Sequence, residues 1–232
     1  MCNFLSQIRG CLAWIIVLLV FMMPHLTLAW SNQDAEDLLK RMETAYGHLK
    51  DYQARVEVRT SRKDRSTETQ IFLYTFKKPN RIRLDFESPH RGLVMVYPDQ
   101  NGEVVVRPTG LIRFFKLHLA PDNPLLATPS GQRIDQTEMG LLIQKIGHSM
   151  TDQRLGSLNI RENDETIEIQ VLAFNHFRKG VVTLYRFTID KKLELPVKVE
   201  ESDTGGHPER TVAFHNLRTN IAIPDSLFEL GG

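Results

Sequence analysis

With 232 residues and 29 basic against 28 acidic side chains, the chain is long enough for one domain with a full apolar core and too evenly charged to be drawn to nucleic acid or anionic lipid by net charge. Both cysteines, Cys2 and Cys11, fall within the first 29 residues. The remainder can form neither a disulfide nor a thiolate metal site, and cysteine catalysis is excluded.

Residues 1–29 carry one charged side chain, Arg9, followed by an apolar run over 11–23, Pro24, and a Thr27-Leu28-Ala29 ending with a small residue suited to cleavage. This pattern predicts a secretory signal peptide cut after Ala29 and a soluble periplasmic domain over 30–232. The apolar run is shorter than the roughly twenty residues that a bilayer-spanning helix needs. The competing reading is an uncleaved inner-membrane anchor, because no charge appears between Gly10 and Gln33. Charges in the rest of the chain are interspersed, as in Glu57, Arg59, Arg62, Lys63, Asp64 and Arg65, which is the pattern of a solvated face and not of a nucleic-acid partner.

Ala35, Leu38, Leu39, Met42, Ala45, Tyr46 and Leu49 recur at helical spacing, with Ser31 or Asn32 available as N-cap, and predict an amphipathic helix. Tyr52, Ala54, Val56 and Val58 then alternate with polar residues, and a polar turn over 63–66 leads back through 71–76, so a hairpin follows the helix. In the segment FKKPNRIRLDFESP, residues 76–89, Pro79 breaks the strand, which restarts with Ile82, Leu84 and Phe86 on one face and Arg81, Arg83, Asp85 and Glu87 on the other. A second hairpin pairs 93–97 with 103–107 across a Pro-Asp-Gln-Asn-Gly turn. Further strands are expected over 166–174, 181–189, 196–201 and 210–217, giving an antiparallel sheet or barrel. Asp135 and Glu138 have capping-box spacing ahead of an apolar stripe of Met139, Leu142, Ile143 and Ile146, which predicts a mid-chain helix over 135–150. The loop before it, 120–133, holds three prolines around Leu125-Leu126 and suits a mobile flap.

The segment over 76–89 resembles the LolA/LolB lipoprotein-carrier superfamily, as do YRFTIDKKLELPVKVEESDTGG at 185–206, IPDSLFEL at 223–230 and the strand over 92–97. Within that superfamily the chain resembles the DUF1571-type branch more than the lipoprotein carriers themselves. The resemblance implies an α+β fold, an open and strongly curved antiparallel β half-barrel with helices as a lid over an apolar cavity. The carriers have a basic residue directly before the proline that holds the lid; the matching position here is Lys78, where the carriers have Arg. Val56, Val58, Phe72, Tyr74, Phe76, Leu84, Phe86 and Met95 would then line the cavity and Leu142, Ile143 and Ile146 would cover it. For each of these residues ordinary core is the competing role.

No nucleophile elbow, phosphate-cradling glycine loop or metal-helix histidine spacing is present in the sequence, so neither an enzyme, a cofactor nor a metal is expected. His118 and His215 fall within strand patterns and are expected as hydrogen-bonded core histidines. The function implied is a periplasmic, non-catalytic, monomeric binder or carrier of acyl chains of lipids or lipoproteins, exchanging with membrane donor and acceptor proteins. The alternatives are an envelope-stress sensor, expected to carry a second domain, and a protein-interaction module on the same fold. If the leader is removed as expected, intact-mass measurement of the exported protein finds Trp30 at its N-terminus; a full-length chain in the membrane fraction establishes the anchor instead.

Overall fold

The computed structural model describes residues 32–61, 66–112, 114–126, 132–151, 155 and 158–230. The signal-peptide and anchor readings, the Ser31 cap, most of the 63–66 turn and the 127–131 portion of the flap lie outside them. Helix α1, Asn32–His48, buries Ala35, Leu38 and Met42, the face its spacing predicts. Six strands follow: β1 (Asp51–Ser61), β2 (Thr67–Lys77), β3 (Arg81–Ser88), β4 (Val94–Tyr97), β5 (Val104–Arg107) and β6 (Leu117–Leu119). Helix α2 (Met139–Thr151) separates them from β7 (Asn159–Glu162), β8 (Thr166–Phe174), β9 (Val182–Asp190), β10 (Leu195–Ser202) and β11 (Pro208–Thr219). The short edge strands β6 and β7 carry too little alternation to be read from sequence; the other nine match expected strands.

All pairings are antiparallel, and the eleven strands form one curved, unclosed sheet in the order β6-β5-β4-β3-β2-β1-β11-β10-β9-β8-β7. Each half is a meander, and the two join through β1 and β11, with Val56 opposite Phe214 and Val58 opposite Val212. Because side chains alternate across a strand, register fixes which of them share a face. The inward rows run Phe86, Phe72, Val56, Phe214 and then Val58, Val212, Val199, Phe187, Ile169. The opposite face is wet and ion-paired: Arg55 meets Glu87 at 2.8 Å, Arg83 meets Asp85 at 2.7 Å and Lys198 meets Glu200 at 2.9 Å. One patch of that outer face is dry. There Val94 and Val96 pack against Ile223 and Phe228 of the chain end, which Lys77 and Arg83 hold by donating to the Ile223 and Leu227 carbonyls, each at 2.7 Å.

Helix α2 begins later than expected and is capped differently. The Asp135 carboxylate pairs with Arg133 at 2.5 and 3.0 Å instead of capping, and residues 134–136 form a separate turn of 3-10 helix. Glu138 is the capping residue in effect: its carbonyl accepts the Leu142 N–H at 3.2 Å, and its carboxylate accepts the Tyr46 hydroxyl at 3.0 Å. The next free helical donor, Met139 N–H, goes to the Tyr52 hydroxyl at 3.1 Å.

The two helices pack antiparallel through residues seven apart on each. Tyr46 of α1 lies on Gly140 of α2, and Leu39 lies on Gly147. A Cβ at Gly140 would stand 2.5 Å from Tyr46 Cε1, and one at Gly147 would stand 2.8 Å from Leu39 Cδ2. Leu39 can change rotamer, whereas the Tyr46 ring is pinned at its hydroxyl by Glu138 and at its face by the Lys78 ammonium, 4.4 Å from the centroid. Gly→Ala in a helix otherwise gains about 1 kcal/mol, and overpacking costs about 1–3 kcal/mol. Gly140→Ala is therefore expected to lower unfolding free energy by about 1–2 kcal/mol in urea titration, while Gly147→Ala leaves it level or raises it slightly. Equal effects from the two would show that Tyr46 is not pinned.

Candidate functional site

A cavity of about 340 Å³ lies between α2 and the inward face of the sheet. Its apolar wall is built from alternate residues of six adjacent strands: Val56 and Val58 of β1, Phe72 and Tyr74 of β2, Leu84 and Phe86 of β3, Met95 of β4, Val212 and Phe214 of β11, and Val199 of β10. Leu142 faces it from α2, and Leu125 and Leu126 from the loop before that helix. Seven of the eight residues expected on the wall are therefore brought together there. Phe76 is not among them. It lies one row further along β2, fully buried, its ring stacked on Tyr52 at 4.9 Å, and is core. Of the three lid residues only Leu142 lines the cavity; Ile143 and Ile146 are fully buried. The helical stripe is wider than the cavity, and its other edge is spent on packing.

Lys78 holds a helix, but α1 and not the mid-chain one. Its ammonium donates to the carbonyls of Tyr46 at 2.7 Å and Gly47 at 3.0 Å, which lie in the last turn of α1, where carbonyls have no intrahelical partner and the helix dipole favours a cation. The influence reaches α2 indirectly, through the Tyr46 ring on Gly140 and the Tyr46 hydroxyl on Glu138. Tyr74 adds a contact from the cavity wall, its hydroxyl 3.2 Å from Thr137 Oγ1 at the approach to α2.

The far end of the cavity is polar, and that end was not foreseen. In register beyond the Val58, Val212, Val199 row lies Thr60, Arg210, Glu201, Tyr185, and all four line the cavity. Arg210 donates to Glu201 at 3.2 Å and to the Gln132 side chain at 2.8 Å. Burial pushes the Glu201 carboxyl above its ordinary range against the pull of Arg210. His176, on the turn between β8 and β9, stacks on Tyr185 at 4.4 Å, with its Nε2 2.8 Å from Ser149 Oγ. The Ser149 hydroxyl proton goes to the Lys145 carbonyl at 3.0 Å, so the His176 Nε2–H donates to Oγ. Burial, with Lys145 and His148 close by, pushes this imidazole down to about 4, and it is neutral at pH 7. A signal for this end exists in the sequence: Glu201 and Arg210 have the same strand parity as Val199 and Val212, which places charge on a buried face.

His118 and His215 are surface residues, contrary to expectation. His118 pairs with Asp99 at 2.8 Å and His215 lies 3.8 Å from Glu57. Asp99, Glu103 and His118 have ligand atoms within 4.8 Å of one another. Asp99 is already used by its own turn: burial pushes its carboxyl up, yet the Glu103 N–H, the His118 ring and the Asn101 N–H together hold it below the ordinary carboxylate range.

No protein-family model and no curated protein sequence matches the chain. It is similar in fold to solved structures at low identity. An uncharacterised conserved protein from Thermus thermophilus is 10% identical with a TM-score of 0.49, over 85% of this chain and 94% of that one. A LolA superfamily protein from Nitrosomonas europaea is 12% identical with a TM-score of 0.40, over 84% and 97%. MucB, in a complex with the periplasmic part of MucA, is 15% identical with a TM-score of 0.46; the match covers 86% of this chain and 60% of MucB.

An isolated surface cation contributes within about 0.5 kcal/mol. Lys78 makes two bonds to carbonyls at the end of α1, of which that of Tyr46 also accepts the Leu49 N–H at 3.1 Å, and one ring contact, so Lys78→Leu is expected to cost about 1–2 kcal/mol of unfolding free energy, with Lys78→Arg restoring most of it. A urea midpoint unchanged in Lys78→Leu would make it an ordinary surface lysine.

Proposed function

We propose that the protein is a non-catalytic binder of acyl chains, exported to the periplasm, that carries a lipid or lipidated molecule between membrane donor and acceptor. The observation that carries this reading is the cavity, whose apolar wall spans six strands and is closed by one face of α2. Wells of about 300–1,000 Å³ with apolar walls and a few convergent polar groups are the usual form of ligand sites. At roughly 30 Å³ for a water-sized group, this one holds on the order of eleven such groups, which suits one medium-length acyl segment. Each buried methylene supplies about 0.8 kcal/mol, so ten would supply about 8 kcal/mol before ordering costs are subtracted.

A membrane offers the same chain the same transfer energy, so hold and release depend on how α2 closes. Among the described residues no helix is long and apolar enough to cross a membrane. Leu125, which lines the cavity, is 78% exposed, and Phe114 and Phe115 nearby in sequence are 79% and 66% exposed, so the loop region carries apolar surface that a chain or a membrane could meet.

The test separates lid from core on one helix. Leu142→Glu places a carboxylate in the cavity and is expected to lower affinity for a fluorescent fatty acid at least tenfold with a melting temperature within a few degrees of wild type. Ile146→Glu buries an unpaired charge and is expected to prevent folding. Unchanged binding by a folded Leu142→Glu, together with no lipid retained by the exported protein in native mass spectrometry, would overturn the reading.

A further inference from the structure

The cavity has two chemically different ends, and the difference bears on what a ligand must look like. The apolar end is made by Val56 of β1, Phe72 of β2, Leu84 and Phe86 of β3, Met95 of β4 and Phe214 of β11. The polar end is made by Arg210 of β11, Glu201 of β10, Tyr185 of β9, His176 and Phe177 of the β8–β9 turn, Gln132 before α2, and Lys145 of α2. Two of the charges there satisfy each other: Arg210 and Glu201 are direct cross-strand partners joined at 3.2 Å. Lys145 is different. Its ammonium lies 3.8 Å from the centre of the Phe177 ring, and among the described residues it forms no ion pair. The nearby imidazole offers no counter-charge, and Glu138, the other carboxylate on the cavity wall, lies seven residues earlier, at the start of α2 and roughly 10 Å along its axis, bonded to Tyr46.

The polar end thus holds two cations against one anion, in partial burial where a lone charge is costly. Burial, helped by Arg210 and opposed by Glu201, pushes the Lys145 ammonium down to about 8, as expected of a cation short of a counter-charge. Nothing in the fold requires a lysine at this point: Ser149 bonds the Lys145 carbonyl, not its side chain.

We propose that this end of the cavity is a headgroup subsite for an anion, with Lys145 as its ion partner, so that the ligand is a single-chain amphiphile whose carboxylate or phosphate sits at Lys145 while its chain runs past Val58 and Phe72 toward Met95. The proposal rests on the acyl-binding reading and adds a direction and a charge to it. A carboxylate or a phosphate would accept from the ammonium and leave the Arg210–Glu201 pair intact. The cation–π contact with Phe177, itself a cavity-lining residue, favours this position of the ammonium.

The experiment compares dodecanoate, monododecyl phosphate, dodecanol and dodecyltrimethylammonium as competitors of a fluorescent fatty acid on the exported protein. Either or both anions are expected to bind at least tenfold more tightly than dodecanol, and the ammonium amphiphile more weakly than dodecanol; which anion leads tells a fatty acid from a phospholipid-type head. In Lys145→Met the preference for anion over alcohol is expected to fall to near one, and in Lys145→Arg to persist, with circular dichroism melting confirming that both variants fold. Equal binding of dodecanol and both anions by wild type, or a preference unchanged in Lys145→Met, overturns the headgroup subsite and leaves the acyl cavity standing. Failure of all four to compete overturns both.

Discussion

The pairing of β1 with β11 is the constraint from which the rest of the structure follows. It joins two meanders at the middle of the sheet, so the first and last strands in sequence lie at the centre and the two free edges, β6 and β7, fall mid-chain. The link between β6 and β7 must therefore pass from one edge to the other, ten inter-strand steps of roughly 4.8 Å each along the sheet. A curved sheet shortens that path on its inner side. The segment that makes the crossing contains α2, and its placement over the inward face is a matter of topology before it is one of affinity. A lid is what such a connection becomes when it does not fill the concavity.

Whether it fills the concavity is decided by how far α2 can settle onto the sheet. The glycines at 140 and 147 let α1 approach α2 closely, and the hydroxyls of Tyr46, Tyr52 and Tyr74 fix the start of α2 at Glu138, Met139 and Thr137. These anchors stand at one end of the helix. Two of the three tyrosines, 52 and 74, are sheet residues whose rings are too long to let the helix sink at that end, and they stack at 5.7 Å. Lys78 sits behind this arrangement, tying the end of α1 to the turn after β2. Its effect on the lid passes through Tyr46.

Most of the sheet was legible in the sequence because alternation is a local signal, and once a strand is found, parity gives its inward face. Val56, Phe72, Leu84 and Met95 could be placed on a common face for that reason. What alternation cannot give is position along the strand. Phe76 and Tyr74 share parity, yet one is core and the other cavity wall, a difference fixed by where α1 and α2 lie over the sheet. The same holds on α2, where Leu142, Ile143 and Ile146 form one apolar stripe but only the first looks into the cavity. The histidines at 118 and 215 misled in the opposite way: strand patterns implied burial, but these residues sit on strands whose local surface is open, and carboxylates close by meet them there. The polar end was missed although its charges break an otherwise apolar row.

The Glu201–Arg210 pair is not explained by stability alone. A buried ion pair is weak evidence for stability, because desolvation consumes most of the Coulomb gain and an apolar pair of similar volume often holds a fold as well or better. One row away the same two strands contribute apolar side chains, Val199 and Val212, to the cavity wall. The pair also fixes Gln132, which approaches the end of the cavity from the segment leading to α2, so that segment is tied to the sheet by a hydrogen bond as the start of α2 is by tyrosines. Polar groups at the far end and an apolar wall between give the cavity a defined long axis. Such an axis is what the amphiphile proposed above would follow.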